Sequence, residues 1–314
     1  MSFAQQEKAN QRAWAERDPF MEARLDDRHG PKTWVLKSDL AAHNAFRPEW
    51  WTQIEARVHR WGRALNSSQA FALNLFGPAL DPMVARAAWR GFSERRLPAD
   101  AKVAVRFEFD YSMDAGERYS GVQLGERRQR TQIDVLFEVD SPSERGALLI
   151  EVKYTEHEFG TCRGGTKGDP GCDDLVRLMR DSQRCWLTRH EGRKYWSLMT
   201  QESSSFRFPQ MAASQCPFRD DLYQLMRNRV LADSMREVAH LDWADTAVCI
   251  HPENSDLRAL FKGDAANRGF GDAFAALSQR KVQSLEPVSI VEALSASSPA
   301  LGNWRRYMME RYRI

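Results

Sequence analysis

The chain has 314 residues, enough for one large domain or two, and its 42% hydrophobic and 28% charged residues are typical of a soluble globular protein. A net charge of +2 excludes a strongly basic protein whose whole surface attracts nucleic acid. No run of about 18 apolar residues is present, so no membrane-spanning helix is predicted. The first residues lack the apolar stretch of a secretory signal, and we therefore expect a cytoplasmic protein.

The amino-terminal part of the chain is predicted to be helical. Residues 1–30 are charged and partly amphipathic, and residues 47–63 place tryptophans and aliphatic side chains on one broad face of a helix. Trp50, Trp51 and Trp61 belong to that face, and they favour a position in the core over a platform for stacking nucleobases.

A buried helix with a break is predicted next. Ser67 and Ser68 are typical N-cap residues for a helix over residues 69–80. Gly77 and Pro78 are expected to interrupt that helix, because proline cannot continue a helical hydrogen-bond ladder.

The first strand of a sheet is predicted over residues 103–111, after a second helical stretch over residues 82–94. Arg106, Glu108 and Asp110 alternate with apolar neighbours in this segment. Such alternation is typical of a half-exposed strand.

Residues 131–155 are the most informative segment of the sequence. They contain two runs of β-branched and large apolar residues with turn-forming residues between them, which predicts a hairpin. A turn centred on residues 142–143 places Asp134 opposite Glu151, and Lys153 shares their face of the sheet. The two runs lack a clean apolar–polar alternation, which indicates that both faces are buried. Charged groups there are costly for a core and useful for a chemical site.

Asp134 and Glu151 are suitable ligands for a hard divalent cation such as Mg²⁺ or Mn²⁺, and the carbonyl of Val152 could add a third oxygen. Lys153, with a pKa lowered by burial and a nearby cation, could orient or deprotonate the attacking water, or it could stabilise charge on a phosphate. Glu108 is a candidate for a further ligand or for a group that positions Lys153. Together these residues predict metal-assisted hydrolysis of a phosphodiester. The alternative is a half-solvated strand face that carries opposite charges.

Helices and one further strand are predicted after the hairpin. Residues 173–190 and 220–238 each place apolar side chains on one helix face, and residues 246–251 form an apolar run typical of a buried fourth strand. The remainder, residues 256–314, is predicted to be helical and polar.

Five cysteines in a chain without a secretory signal argue against structural disulfides. Cys249 lies in an apolar run and is expected in the core. The other four lie in or after a glycine-rich loop that could wrap a zinc ion or an iron–sulfur cluster; otherwise they are free, locally packed thiols. These four are Cys162, Cys172, Cys185 and Cys216.

The order of the acidic residues and the lysine resembles the signature of the PD-(D/E)XK nuclease superfamily, to which restriction endonucleases belong. Asp134 matches the first acidic residue of that signature, and Glu151, Val152 and Lys153 match its second part. Ile133 stands at the position of the signature's proline. Further segments, at residues 67–80, 151–156 and 217–228, resemble a group of uncharacterised bacterial restriction-endonuclease-like proteins.

The resemblance implies a restriction-endonuclease-like α/β fold, in which a mixed central sheet begins with a meander and is flanked by helices. It also implies three regions along the chain. Residues 1–65 are expected to form a helical extension, residues 66–255 a nuclease core, and residues 256–314 a helical extension packed on that core.

The same resemblance implies supporting residues outside the hairpin. Gln69 is expected near the metal, and Tyr223 and Gln224 are expected to contact DNA from the helix that follows the lysine strand. Some related nucleases hold an iron–sulfur cluster with four cysteines, although those cysteines typically flank the core on both sides. In this chain all four follow Lys153.

We therefore expect a Mg²⁺- or Mn²⁺-dependent nuclease that hydrolyses DNA, in restriction or defence against foreign DNA, as a monomer or a homodimer. Arginines clustered before the hairpin could contact phosphates; they are Arg118, Arg127, Arg128 and Arg130. Three alternatives remain open. They are a non-catalytic nucleic-acid-binding module with the same fold, a metal-dependent phosphohydrolase acting on small phosphates, and an interaction protein whose cysteine loop binds a partner.

Overall fold

A mixed five-stranded sheet forms the centre of the computed structural model, which describes residues 2–29, 33–59, 61–114, 116–127, 130–208, 214–263 and 269–314. The strands are β1 (Lys102–Asp110), β2 (Gln132–Asp140), β3 (Arg145–Lys153), β4 (Trp243–Ile250) and β5 (Val282–Leu285). They are hydrogen-bonded in chain order: β2 is antiparallel to β1 and β3, and β4 is parallel to β3 and β5. The predicted α/β class, the mixed sheet and its opening meander are confirmed.

Helices cover both faces of this sheet. The α-helices of the described residues are α1 (Phe3–Glu16), α2 (Pro19–Glu22), α3 (Ser68–Phe76), α4 (Pro82–Ala88), α5 (Arg163–Thr166), α6 (Leu175–Arg180), α7 (Trp186–Glu191), α8 (Tyr195–Met199), α9 (Tyr223–Val238), α10 (Ser255–Lys262), α11 (Phe270–Ala275), α12 (Pro287–Ser297) and α13 (Gly302–Tyr312). One face of the sheet packs against α9, and the other face packs against α3, α12 and α13. None of the described helices has the length and hydropathy that crossing a bilayer requires.

Two hydrophobic cores lie against the two faces of the sheet, because side chains alternate along each strand. On β3, Leu148, Ile150 and Val152 join the core that contains α3, α12 and α13. Ala147 and Leu149 join the core that contains α9. Burial on both sides explains why β3 shows no apolar–polar alternation in the sequence.

The β2–β3 hairpin has the predicted register. Val135 pairs with Ile150, and pairing continues without interruption to the turn at residues 141–144. There the Ser141 hydroxyl accepts a hydrogen bond from the Glu144 N–H at 2.9 Å. The side chains one step beyond the Val135–Ile150 pair are therefore those of the predicted site.

The neighbouring strands and the buried helix also lie where predicted. The strands predicted over residues 103–111 and 246–251 overlap β1 and β4. Ser67 caps α3, since its hydroxyl accepts a hydrogen bond from the Ala70 N–H at 3.4 Å. A 3₁₀ turn, Gly77–Leu80, ends this helix at the predicted break.

The helix predicted over residues 47–63 is wrong, because the chain forms two 3₁₀ turns within residues 48–57. Hydrogen bonds between residues three apart allow two adjacent rings, Trp50 and Trp51, to enter one core, so tertiary packing overrides the helical pattern. The predicted core position is confirmed for these two rings. It is wrong for Trp61, which is 51% exposed.

Two further helical predictions are wrong in part. Residues 173–190 hold two helices, α6 and α7, because Asp181 is extended between them and its carboxylate accepts a hydrogen bond from the Gln183 N–H at 3.0 Å. Residues 256–314 contain a strand, β5, whose four residues are too few to show a period. This region is also less polar than expected, since α12 and α13 bury apolar side chains such as Leu294.

The two ends of the chain pack together through the buried guanidinium of Arg311. It donates hydrogen bonds to the Gln11 side chain at 3.0 Å, the Asn44 carbonyl at 2.8 Å and the Leu65 carbonyl at 3.0 Å. Gln11 in turn donates to the Tyr154 hydroxyl at 2.9 Å. Since Tyr154 directly follows the end of β3, both chain ends support the strand end that carries the predicted site.

The close approach of β3 to the Trp243 ring gives a test of this packing. A Cβ added at Gly146 would lie 2.0 Å from the buried indole, so Gly146→Ala is expected to lower the free energy of unfolding by about 1–3 kcal/mol. Gly302→Ala is the matched control, because a Cβ at that helical glycine meets no atom within 4 Å. Urea denaturation of the three proteins checks the prediction, and equal stability of all three would contradict it.

Candidate active site

Three carboxylates lie in a row across β1, β2 and β3, and we call them the carboxylate row. On β1, Phe107 pairs with Val135 and Phe109 pairs with Ile133, so Glu108 between them lies opposite Asp134 on β2. The hairpin register sets Glu151 opposite Asp134 from the other side. Glu108 and Glu151 are 3% and 4% exposed, and Asp134 is half-buried. The structure therefore brings together the two predicted acidic residues and the candidate third.

At Glu108 the regular alternation of side chains between the two faces of β1 is interrupted. The Glu108 φ of 49° lies in the left-handed region, which is strained for a residue other than glycine. Phe107 faces the core of α3, whereas Phe109 faces the core of α9. In a regular strand these two phenylalanines would share a face. Strain of this kind is concentrated at functional sites.

Burial and mutual repulsion hold protons on the carboxylate row. Burial raises the pKa of Glu108 to about 8, against a hydrogen bond from Gln69, and the charge of Glu151 contributes to the rise. Burial also raises the pKa of Asp134 well above its ordinary value, and the charges of Glu151 and Glu108 add to this effect. If all three groups ionised, their negative charge would exceed what the surrounding side chains neutralise, and a bound cation would favour the ionised form.

Lys153 contacts the row from the end of β3, with its Nζ 3.0 Å from the Oε1 atom of Glu151. Burial alone would lower the pKa of Lys153, but the charges of Glu151, Glu156 and Asp134 outweigh burial and raise it overall. The lowered pKa expected beside a bound cation stays a prediction. Lys153 carries its full positive charge at neutral pH.

Amide side chains of α9 hold the lysine and the glutamate in place. Gln224 accepts a hydrogen bond from the Nζ of Lys153 at 2.8 Å and donates one to Glu151 at 2.6 Å. Asn228 donates to the other oxygen of Glu151 at 3.0 Å. Asn228 was not predicted from the sequence, although its spacing of four residues from Gln224 places both side chains on one helix face.

Tyr223 does not contact the carboxylate row, because adjacent helical residues point about 100° apart and Gln224 takes the inward direction. The Tyr223 ring centroid lies 6.4 Å from that of Tyr195. One turn along α9, the guanidinium carbon of Arg227 lies 5.4 Å from the centroid of the Tyr223 ring. The DNA contact predicted for Tyr223 and Gln224 stays a prediction.

Gln69 connects the start of α3 to the row. Its side chain accepts a hydrogen bond from the His59 N–H and donates one to the Arg57 carbonyl, each at 3.1 Å, and it also bonds the Glu108 carboxylate. Gln69 is buried. Gln69 therefore lies beside Glu108, and its place near a metal stays a prediction.

The donor set fits a hard divalent cation, because such ions prefer carboxylate oxygens and would favour the ionised form of the row. Among the described residues, however, no group of three or more His, Cys, Asp and Glu side chains has the spacing of a formed metal site. Here the oxygens of Glu151 are engaged by amides, and Asp134 accepts a hydrogen bond from the Val152 N–H at 2.7 Å. The ligand role of the Val152 carbonyl stays a prediction.

Four buried cysteines lie in the core beside α9, and each is a free thiol: Cys162, Cys172, Cys185 and Cys216. The Cys216 N–H donates to the Cys172 carbonyl at 2.7 Å. Burial raises the pKa of Cys172 to about 12 and raises the pKa of Cys216 well above its ordinary value, so both thiols are protonated at neutral pH. This is an arrangement of packed thiols, and the zinc or iron–sulfur site stays a prediction. Cys249 lies in the core, as predicted.

Two of the arginines predicted to contact phosphates, Arg118 and Arg130, make internal contacts. The Nη1 atom of Arg118 lies 3.3 Å from the carboxylate of Glu138, and Arg130 donates to the Ser112 hydroxyl at 2.5 Å. Arg128 lies outside the described residues. Their contact with DNA stays a prediction.

The mixed sheet with acidic residues and one lysine at the strand ends is compatible with the restriction-endonuclease-like class, and a comparison with protein families identifies it. The family described as Restriction Endonuclease associating with ARP matches residues 3–313. The chain belongs to this family, which confirms the restriction-endonuclease-like resemblance. Comparison with curated proteins and with solved structures gave no match.

The raised pKa of Glu108 predicts a pH dependence of stability in EDTA. Folded Glu108 keeps its proton up to about pH 8, whereas the unfolded carboxyl loses it near its ordinary value of 4.5, so folding binds a proton between these values. The free energy of unfolding should therefore fall between pH 5 and 8, by an amount on the order of a few kcal/mol. Glu108→Gln should lessen the fall in urea denaturation series, and an equal fall in both proteins would contradict the prediction.

Proposed function

We propose that this protein is a divalent-metal-dependent nuclease that hydrolyses DNA phosphodiester bonds. The observation that carries the proposal is the carboxylate row on three neighbouring strands with Lys153 in contact with it. Buried acidic groups with raised pKa values are costly for stability and are concentrated where chemistry requires them. Membership of a restriction endonuclease family supports a nuclease role.

Asp134 and Glu151 would hold Mg²⁺ or Mn²⁺, with the Val152 carbonyl as a third oxygen and Glu108 as a further ligand or a positioning group. When bound, such an ion polarises a phosphoryl oxygen and lowers the pKa of its water. Binding of the ion would displace the protons held on the row, and the carboxylates would then supply the negative charge that the ion requires. Before the ion binds, the hydrogen bonds from Gln224 and Asn228 keep the Glu151 carboxylate oriented.

Lys153 would act as a charged hydrogen-bond donor. The contacts of its ammonium with Glu151 and Gln224 support the stabilisation of charge on the phosphate, one of the two roles left open by the sequence. Gln224 fixes the ammonium by accepting one of its hydrogen bonds. Glu151 and Lys153, two residues apart on β3, thus point toward the same scissile phosphate.

DNA is the proposed substrate, and restriction or defence against foreign DNA is the proposed setting. Both rest on the family, whose name describes restriction endonucleases. A homodimer, which would let two copies of the site cut both strands of a duplex, remains part of the proposal.

Cleavage of supercoiled plasmid and of single-stranded DNA tests the proposal. With Mg²⁺ or Mn²⁺ the wild type is expected to cut, whereas Lys153→Ala and Glu151→Gln should each reduce the rate by about 100-fold or more, since each removes a group at the reacting phosphate. EDTA should abolish cutting. Gel electrophoresis over a time course gives the rates.

Lys102→Ala is the matched control, because this exposed lysine lies at the opposite end of β1, where it pairs with Asp140. It should cut like the wild type. Binding of DNA without cutting by any form would favour the non-catalytic module. Absence of both binding and cutting, with release of phosphate from nucleotides, would favour the small-phosphate hydrolase.

A further inference from the structure

A cavity of about 410 Å³ is lined in part by Ser68, Thr155 and Glu156, which lie within three residues of Gln69 or Lys153, and we call it the tryptophan pocket. Its lining includes Lys8, Trp34, His59, Trp61, Ser68 and Glu156. The mechanism described above uses none of these side chains.

The tryptophan pocket and the carboxylate row share structural elements. Gln69 accepts a hydrogen bond from the backbone N–H of His59, which lines the pocket. The Gln69 side chain also forms a hydrogen bond with the Glu108 carboxylate of the row. Glu156 follows Lys153 by three residues, and its charge raises the pKa of that lysine. Gln69 and the segment that follows Lys153 therefore connect the pocket to the row.

The pocket combines indole rings with polar groups. Trp61 is 51% exposed, which is unusual for so large an apolar ring in a protein that buries most of its other aromatic residues. The Nζ of Lys8 lies 4.5 Å from the ring centroid of Trp34. Ser68 and Glu156 add hydrogen-bonding groups to the same lining. Flat rings beside hydrogen-bonding groups and a positive charge match the chemistry of a nucleotide.

We infer that the tryptophan pocket receives the base of one unpaired nucleotide of the DNA strand bound at the carboxylate row. This inference rests on the proposed nuclease function and specifies its substrate. The volume is in the range of small-molecule pockets, so it suits a single nucleotide and excludes a duplex.

The nucleotide must be unpaired because bases within a duplex already stack on their neighbours. A base can lie against Trp61 only after it has left the helix, or when it belongs to a single strand. Stacking on an aromatic ring tolerates every base, so the pocket would select unpaired structure more strongly than base identity. The preferred substrates are therefore DNA with flipped, bulged or single-stranded nucleotides.

Binding of three DNA duplexes in EDTA tests this inference without cleavage. The first duplex is fully paired, the second carries a single-nucleotide bulge, and the third carries the same bulge with an abasic residue. Fluorescence anisotropy should show that the wild type binds the bulge with a base about tenfold or more tightly than the abasic bulge. Repulsion between the carboxylate row and phosphates acts on all three duplexes and cancels in this comparison.

Substitution of the exposed ring completes the test. Trp61→Ala should bind the two bulged duplexes equally, and Trp61→Phe should keep part of the preference because it keeps a ring. Phe20→Ala, which removes a 74% exposed aromatic ring outside the pocket, should behave like the wild type. Thermal unfolding confirms that each variant is folded.

Failure of this inference can be told from failure of the proposed function. A wild type that cuts DNA but binds both bulges equally, or a Trp61→Ala protein that keeps the preference, would overturn the pocket alone. A preference that depends on Trp61, without metal-dependent cutting, would support the pocket and overturn the nuclease. If the wild type shows neither a Trp61-dependent preference nor metal-dependent cutting, both the pocket inference and the nuclease proposal are overturned.

Discussion

Repulsion among buried carboxylates on three neighbouring strands is the constraint on which the rest of this structure depends. Glu108, Asp134 and Glu151 are set in one row by the sheet register, and burial together with their mutual charge raises the pKa of Glu108 and of Asp134. A protein core gains nothing from such a row. A bound cation would offset this repulsion, which is the reason why the row supports the proposed metal-dependent function.

Two helices and both chain ends hold the row in place. From one face α9 provides Gln224 and Asn228, which occupy the Glu151 oxygens, and from the other α3 provides Gln69, which bonds Glu108. Behind the site, the network around Arg311 links α1 and α13 to the residue after Lys153. The site therefore belongs to a shell that spans nearly the whole chain, in agreement with a family match over residues 3–313.

The hairpin could be read from the sequence because a tight turn fixes its register, and the register alone sets Asp134 beside Glu151. Other parts depend on contacts that no local pattern contains. The 3₁₀ path through Trp50 and Trp51 follows from packing, and β5 is too short to show a period. Glu108 reaches the row because its backbone adopts a left-handed conformation that interrupts the side-chain alternation of β1. The alternating sequence does not reveal this conformation.

The most direct measurement is the position of Mn²⁺ in crystals of the wild-type protein, located by anomalous scattering. We expect a peak between Asp134 and Glu151, in contact with an oxygen of each carboxylate, and loss of the hydrogen bond from Gln224 to Glu151. Saturating Mn²⁺ that leaves these carboxylates without a peak, or that binds only elsewhere, would contradict the claim that the row is a metal centre.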